Sequence, residues 1–215
     1  NFNVTGETFD FGPWRFLPVS DPNFTAAYFD ENGLYRFGRQ PTQGAWALQQ
    51  LASALLPLAE ADDLARGLAP YEAAYQQSFA AHTHLLLGLA GSGDLRNDLT
   101  FLQGLYGWMT TSGASWPQTF FDLYGGAASE ARMKVSPQAA LYDTADFAPV
   151  RDALAARTPT HAGRLSLPYF QAALPVVLLI EDVESLWAPI AERDDWSAFD
   201  AKLAHLEAAR TALAP

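Results

Sequence analysis

Asn1 and Asp10 carry oxygen atoms at a spacing that suits metal chemistry. Between them, Asn3-Val4-Thr5 and Thr8-Phe9-Asp10 flank Gly6-Glu7, and two short runs around a glycine turn predict a β-hairpin. A hairpin returns its ends to one another, so the Asn1 amide and the Asp10 carboxylate could reach one cation. Mg²⁺ takes hard oxygen ligands, often one or two carboxylates completed by phosphate oxygens. The chemistry expected is therefore a divalent ion held against a phosphorylated ligand. Asp10-Phe11-Gly12-Pro13 closes the hairpin in a loop, since Pro13 cannot continue a ladder. An ordinary Gly-Pro turn is the plain alternative for the same four residues.

The elements that must position this pair divide unevenly along the chain. After the hairpin, Pro18, Asp21-Pro22 and Asn32-Gly33 punctuate an irregular segment that continues to Pro41. Helical spacing then takes over. Trp46, Leu48, Leu51, Leu55 and Leu58 predict a first helix capped by Thr42, with Pro57 near its end. Further helices are expected over 62–68, 71–89, 94–109, 117–124 and 149–157. Residues 125–148 are less patterned, broken by Gly125-Gly126, Pro137 and Pro149, and residues 158–168 read as a loop. A helix over 176–192, interrupted by Pro189, precedes a last one capped by Ser197 and running to about Leu213. The fold class is mainly α.

Composition narrows what such a chain can do. Its 215 residues, 49% hydrophobic and 17% charged, are enough to bury a sizeable core and too apolar for disorder. The net charge of −11 argues against nucleic acid, whose phosphates need clustered Lys and Arg, and against an anionic membrane surface. Lys134 and Lys202 are the only lysines, a bias toward Arg that reads as genomic composition. Without cysteine there is no disulfide framework, thiol nucleophile or Cys-based zinc site, which fits a reducing cytoplasm. The longest apolar run, Leu174 to Ile180, contains Pro175 and is far too short to span a membrane. The chain opens on Asn1 with neither an initiator Met nor a basic leader, as expected of a fragment.

Other polar groups offer less. His82 and His84, two apart on a helix, point about 200° apart and cannot share a metal. His161 and His205 have no second ligand at suitable spacing. Asp62-Asp63 and Asp194-Asp195 suit helix-terminus electrostatics, while Glu181, Asp182 and Glu184 suit a solvated face. Gly88, Gly91 and Gly93 lack the following Lys of a phosphate-binding loop.

In kinase-like enzymes, an Asn after the catalytic loop and the Asp of Asp-Phe-Gly hold metal against nucleotide phosphates. The wider context extends that likeness. Asn1 to Asp10, Gly12-Pro13, Asp21-Pro22-x-Phe24, Asp30-x-x-Gly33-x-Tyr35-x-Phe37-x-x-Gln40-Pro41, Trp46 and Leu51-Ala52…Leu55-x-Pro57 follow at fixed spacing. Over residues 1–58 this resembles the selenoprotein O family of kinase-like protein adenylyltransferases, almost without gaps. The resemblance implies ATP bound in reversed orientation and AMP transferred to Ser, Thr or Tyr of proteins. It implies that Asn1 and Asp10 are the metal pair, for Mg²⁺ or Mn²⁺. The family's proton-accepting Asp would lie just upstream of Asn1. Its nucleotide-holding Lys, Glu, Arg and Gly-rich loop would belong to an N-terminal half outside this chain. Two departures stand out: Phe11 replaces the Tyr of Asp-Tyr-Gly, and Ala26-Ala27 replaces a Cys-Asn pair.

Beyond residue 58 the likeness thins to a helical pattern, and the Asn-Pro…Leu-Arg-Asn segment of many members is not found near the C-terminus, as in a divergent bacterial branch. The expectation is thus the C-terminal part of a protein-kinase-like fold, one mainly helical domain over 1–215. Residues 1–41 would form the hairpin and metal segment, and 42–215 the helical region. The partners expected are ATP and protein substrates, with no nucleic acid or membrane, in a bacterial cytoplasm. The chain alone is expected to be inactive. A non-catalytic helical scaffold is the rival reading.

Overall fold

In a computed structural model of the chain, residues 15–214 are described; the expected hairpin, with Asn1 and Asp10, lies outside them. The described residues are mainly helical, and their only β pairings are the isolated bridges Val19–Ser115 and Leu89–Pro159. The described residues divide into two compact units, the first holding residue 15 and residues 21–79 and the second residues 16–20 and 80–214.

In the first unit, a series of turns leads through a short 3₁₀ turn, Phe37–Arg39, into α1 (Gln40–Leu55), α2 (Ala61–Leu68) and the start of α3 (Tyr71–Leu86). Helix α1 begins two residues before the expected Thr42 cap. Pro41 sits in its first turn, where a missing N–H costs nothing because those donors have no helical partner anyway. The Tyr71 hydroxyl donates to Pro41 O at 2.8 Å. Tyr71, Tyr75 and Phe79 follow one another down one face of α3 at 6.2 Å ring spacings, as their four-residue periodicity requires.

The second unit holds the core. Helix α4 (Leu95–Ser112) starts at Asp94, whose carboxylate accepts from Arg96 N at 2.9 Å, and stops at Gly113 with φ +67°. Helix α5 (Trp116–Leu123) starts at Ser115, whose side chain accepts from Gln118 N. Between residues 125 and 148 the breakers leave room only for short pieces: a 3₁₀ turn at Gly126–Ser129, α6 (Glu130–Val135), α7 (Ala139–Tyr142) and a 3₁₀ turn at Ala145–Phe147. Then follow α8 (Ala148–Ala155), a 3₁₀ turn at Ala162–Ser166, α9 (Pro168–Gln171), α10 (Ile180–Arg193) and α11 (Ser197–Leu213). Leu87, Leu102, Leu105, Met109, Leu123 and Phe147 are fully enclosed. Trp108 packs on Phe147 and Tyr142 at ring distances of 4.7 and 5.7 Å. Gly88, at φ +61°, passes so close to Tyr124 that a Cβ would lie 2.6 Å from the ring.

Three local expectations are corrected. Helix α10 begins at Ile180, not at residue 176, and the β-branched Val176-Val177 favour the extended lead-in. It also runs through Pro189 without interruption. The carbonyl of Ser185 loses its N–H partner there, but Ser185 is exposed and water can serve it. Ser197 does not cap α11. The Asp195 carboxylate accepts both Ser197 N (3.0 Å) and Ser197 Oγ (2.6 Å), so the acid two residues earlier turns the chain into the helix. Among the described residues no helix is long and apolar enough to cross a membrane.

Candidate functional site

Asn1 and Asp10 lie outside the described residues, but the motif that follows them is described from Arg15 onward. Its members build a closed loop over residues 22–38. The Asp21 carboxylate accepts from Asn23 N at 2.8 Å, and Asp21 O accepts from Phe24 N at 3.1 Å. Phe37 N then donates to Phe24 O, and Gly38 N to Pro22 O, both at 2.8 Å. A Cβ on Gly38 would lie 2.9 Å from both Cβ and O of Pro22, so the loop ends meet only because residue 38 is glycine. Within the loop, Asp30 accepts Leu34 N at 2.8 Å and Tyr35 N at 2.6 Å, while Gly33 takes φ +61°. Asp21, Asp30 and Gly33, read from sequence as markers, thus shape the chain that leaves Asp10. Gly38 carries no sequence signal of its own, since its need depends on a residue sixteen positions earlier.

Two buried carboxylates organise the second unit. Asp98 on α4 accepts Ser92 N at 3.1 and 3.2 Å and Arg157 Nη2 at 3.3 Å, with His84 Nε2 at 3.4 Å. Arg157 Nε donates to His84 Nε2 at 3.3 Å. Its guanidinium lies 3.9 Å from the Phe101 ring centroid. His84 Nδ1 lies 2.8 Å from Ala80 O, which can only accept, so this nitrogen carries the proton. Burial pushes the Asp98 carboxyl up, but the Ser92 donors together with the Arg157 charge outweigh it and hold the group below its usual range.

Asp122 on α5 is fully enclosed. Oδ1 accepts Gln118 Nε2 at 2.9 Å, and Oδ2 accepts Ser136 Oγ at 2.5 Å and Tyr142 OH at 2.9 Å. Here burial wins over the donors and over Arg132, and the carboxyl is pushed up. Burial, then the Asp122 charge, pushes the Tyr142 hydroxyl up as well. A cleft of about 520 Å³ opens beside Asp122, Arg132, Ser136 and Phe170. Arg132 stands about equally far from the Phe121 and Phe170 rings, at 5.0 and 4.9 Å. Both oxygens of Asp122 are occupied by donors, so this carboxylate ties α5 to α7 and the turn at Ser136.

Neither carboxylate gathers metal ligands, and among the described residues no group of three or more His, Asp or Glu could hold a cation. His82 is exposed while His84 is buried, so the two do not face one site. The family's model, protein adenylyltransferase SelO, matches residues 1–207. The chain belongs to that family. Membership therefore reaches well past residue 58, where the motif likeness thins, and takes in the helical region almost to its end. A protein nucleotidyltransferase YdiU of a Synechocystis species is 31% identical over 220 residues, which cover 93% of this chain and 44% of that protein. The protein of that name in Gloeobacter violaceus is 31% identical over 213 residues, covering 93% and 42%. One from Vibrio cholerae reaches 42% identity over 102 residues, 46% of this chain and 21% of that protein. The chain thus spans less than half the length of these relatives.

Proposed function

We propose that the whole protein moves AMP from ATP onto Ser, Thr or Tyr hydroxyls of other proteins. The observation that carries this reading is the SelO match over residues 1–207, which includes both Asn1 and Asp10. The names of the relatives support nucleotidyl transfer to protein. Asn1 and Asp10 offer an amide oxygen and a carboxylate, a hard donor set that fits Mg²⁺. When bound, the ion offsets negative charge on the triphosphate. The substrate hydroxyl attacks the α-phosphorus, pyrophosphate leaves, and the hydroxyl proton passes to a carboxylate expected just upstream of Asn1. Asp10 contributes charge and Asn1 a neutral contact, so positioning and electrostatics supply most of the rate.

The test is incorporation of label from α-labelled ATP into protein, using the whole protein as made in the cell. Transfer by wild type that is lost in Asp10→Ala at unchanged Tm supports the reading. Wild-type transfer by Asp10→Ala would sink the metal role, and no transfer by wild type would leave the helical scaffold.

A further inference from the structure

Three hydrogen-bonded turns follow one another in the closed loop: Asp30 N donates to Ala27 O, Gly33 N to Asp30 O and Arg36 N to Gly33 O. Turn corners favour Gly, Asn, Asp, Ser and Pro, each for a backbone reason. The first turn instead carries Tyr28 and Phe29 at its two corners, and the third carries Leu34 and Tyr35. Tyr28 is 95% exposed and Phe29 69%. Their rings meet edge to face at 5.5 Å, so each limits the other's freedom, and Asp30 fixes the backbone at their base through Leu34 N and Tyr35 N. The turn itself needs neither aromatic residue. A rigid, solvent-facing aromatic pair on a loop closed at its neck is a feature of recognition surfaces.

The surrounding charge says what the pair suits. Glu31 next to it is exposed, whereas Arg36 and Arg39 are half-buried, and the chain carries a net charge of −11. An aromatic face beside an exposed carboxylate attracts a cation twice over, through the ring quadrupole and through Coulomb attraction. We propose that Tyr28 and Phe29 form a docking platform for an Arg or Lys side chain of the polypeptide that carries the acceptor hydroxyl. This rests on the protein-transfer reading above and adds a preference for basic segments in the acceptor polypeptide.

The test uses the whole protein and two fluorescent alanine-based peptides. Each carries one serine, flanked by arginines in the first and by glutamates in the second. Anisotropy should show the arginine peptide binding about tenfold more tightly, from two modest cation–aromatic contacts. The double variant Tyr28→Ser/Phe29→Ser should lose that preference with Tm unchanged. Equal binding of the two peptides to wild type would overturn the proposal, as would a preference that survives in the variant. A lowered Tm in the variant would also overturn it, by showing that the pair packs against another part of the protein. Binding is read without transfer, so failure here is distinct from failure of the transfer assay.

Discussion

The loop over residues 22–38 and the buried network around Asp98 use a carboxylate in opposite ways. Asp30 spends its oxygens on backbone N–H groups at the surface and leaves large side chains facing solvent. Asp98 spends its oxygens on a backbone N–H and a guanidinium inside the core, joining α3, α4 and the end of α8 through His84 and Arg157. A surface carboxylate of the first kind sets shape at small cost to stability when lost. A buried one of the second kind leaves an unpaired charge behind when removed. Removing the first is therefore expected to be tolerated, and removing the second is not.

The largest expected effect tests the buried side of that contrast. Asp98→Ala strands Arg157 without its carboxylate and should cost roughly 3–5 kcal/mol in urea unfolding. A loss below about 1 kcal/mol would show that the network is ornamental. Next comes Asp10→Ala, which should lower AMP transfer by about 10²-fold, the effect of losing one electrostatic contact of about 3 kcal/mol, while leaving the melting temperature alone. Asn1→Ala should do less, because water can replace a neutral ligand; an equal loss would contradict that ranking. Gly38→Ala forces a methyl group against Pro22 and should cost about 1–3 kcal/mol, measured by thermal melting. Asp30→Ala, removing an exposed cap, should cost only about 1 kcal/mol, and a larger loss than Asp98→Ala would invert the comparison.

Titration offers a subtler break. The folded Asp98 carboxyl lies below its unfolded value, so its contribution is complete above the unfolded value and is lost as acid carries the pH down through the folded one. Asp122 has the opposite sign: its folded carboxyl lies above the unfolded value, so protonation favours the fold and ionisation works against it. Urea melts from pH 3 to 7 should therefore show the wild-type advantage over Asp98→Asn shrinking below about pH 4. The difference from Asp122→Asn should instead move in the mutant's favour as pH rises from about 4. Parallel curves for the two variants would refute the assignment.

Helices α2 to α5, α8 and α11 were legible because periodic apolar residues, Gly and capping acids all act locally. The start of α10 was not, because the short apolar run 174–180 reads equally as helix or extended chain. Residues 125–148 hid several short helices between breakers, each too short to display a period. Asn1 and Asp10 are proposed from the sequence alone, on an expected hairpin that would give their nine-residue spacing meaning, and both lie outside the described residues. His84, Asp98 and Arg157 were not, since α3, α4 and α8 must pack before residues 73 positions apart can meet. Tyr28 and Phe29 were silent for another reason: an exposed aromatic at a turn corner has no sequence periodicity to betray it.

The neck formed by Pro22, Phe24, Phe37 and Gly38 makes the loop an interchangeable cassette. Chain enters and leaves at nearly one place, so the exposed corners Tyr28, Phe29, Glu31 and Asn32 can change their residues while Asp30, Gly33 and the neck keep the loop's shape and α1 keeps its starting point. Natural variation can therefore retune which segments are met there without redesigning the helices behind it, and loop exchange between relatives would transplant that preference in one step.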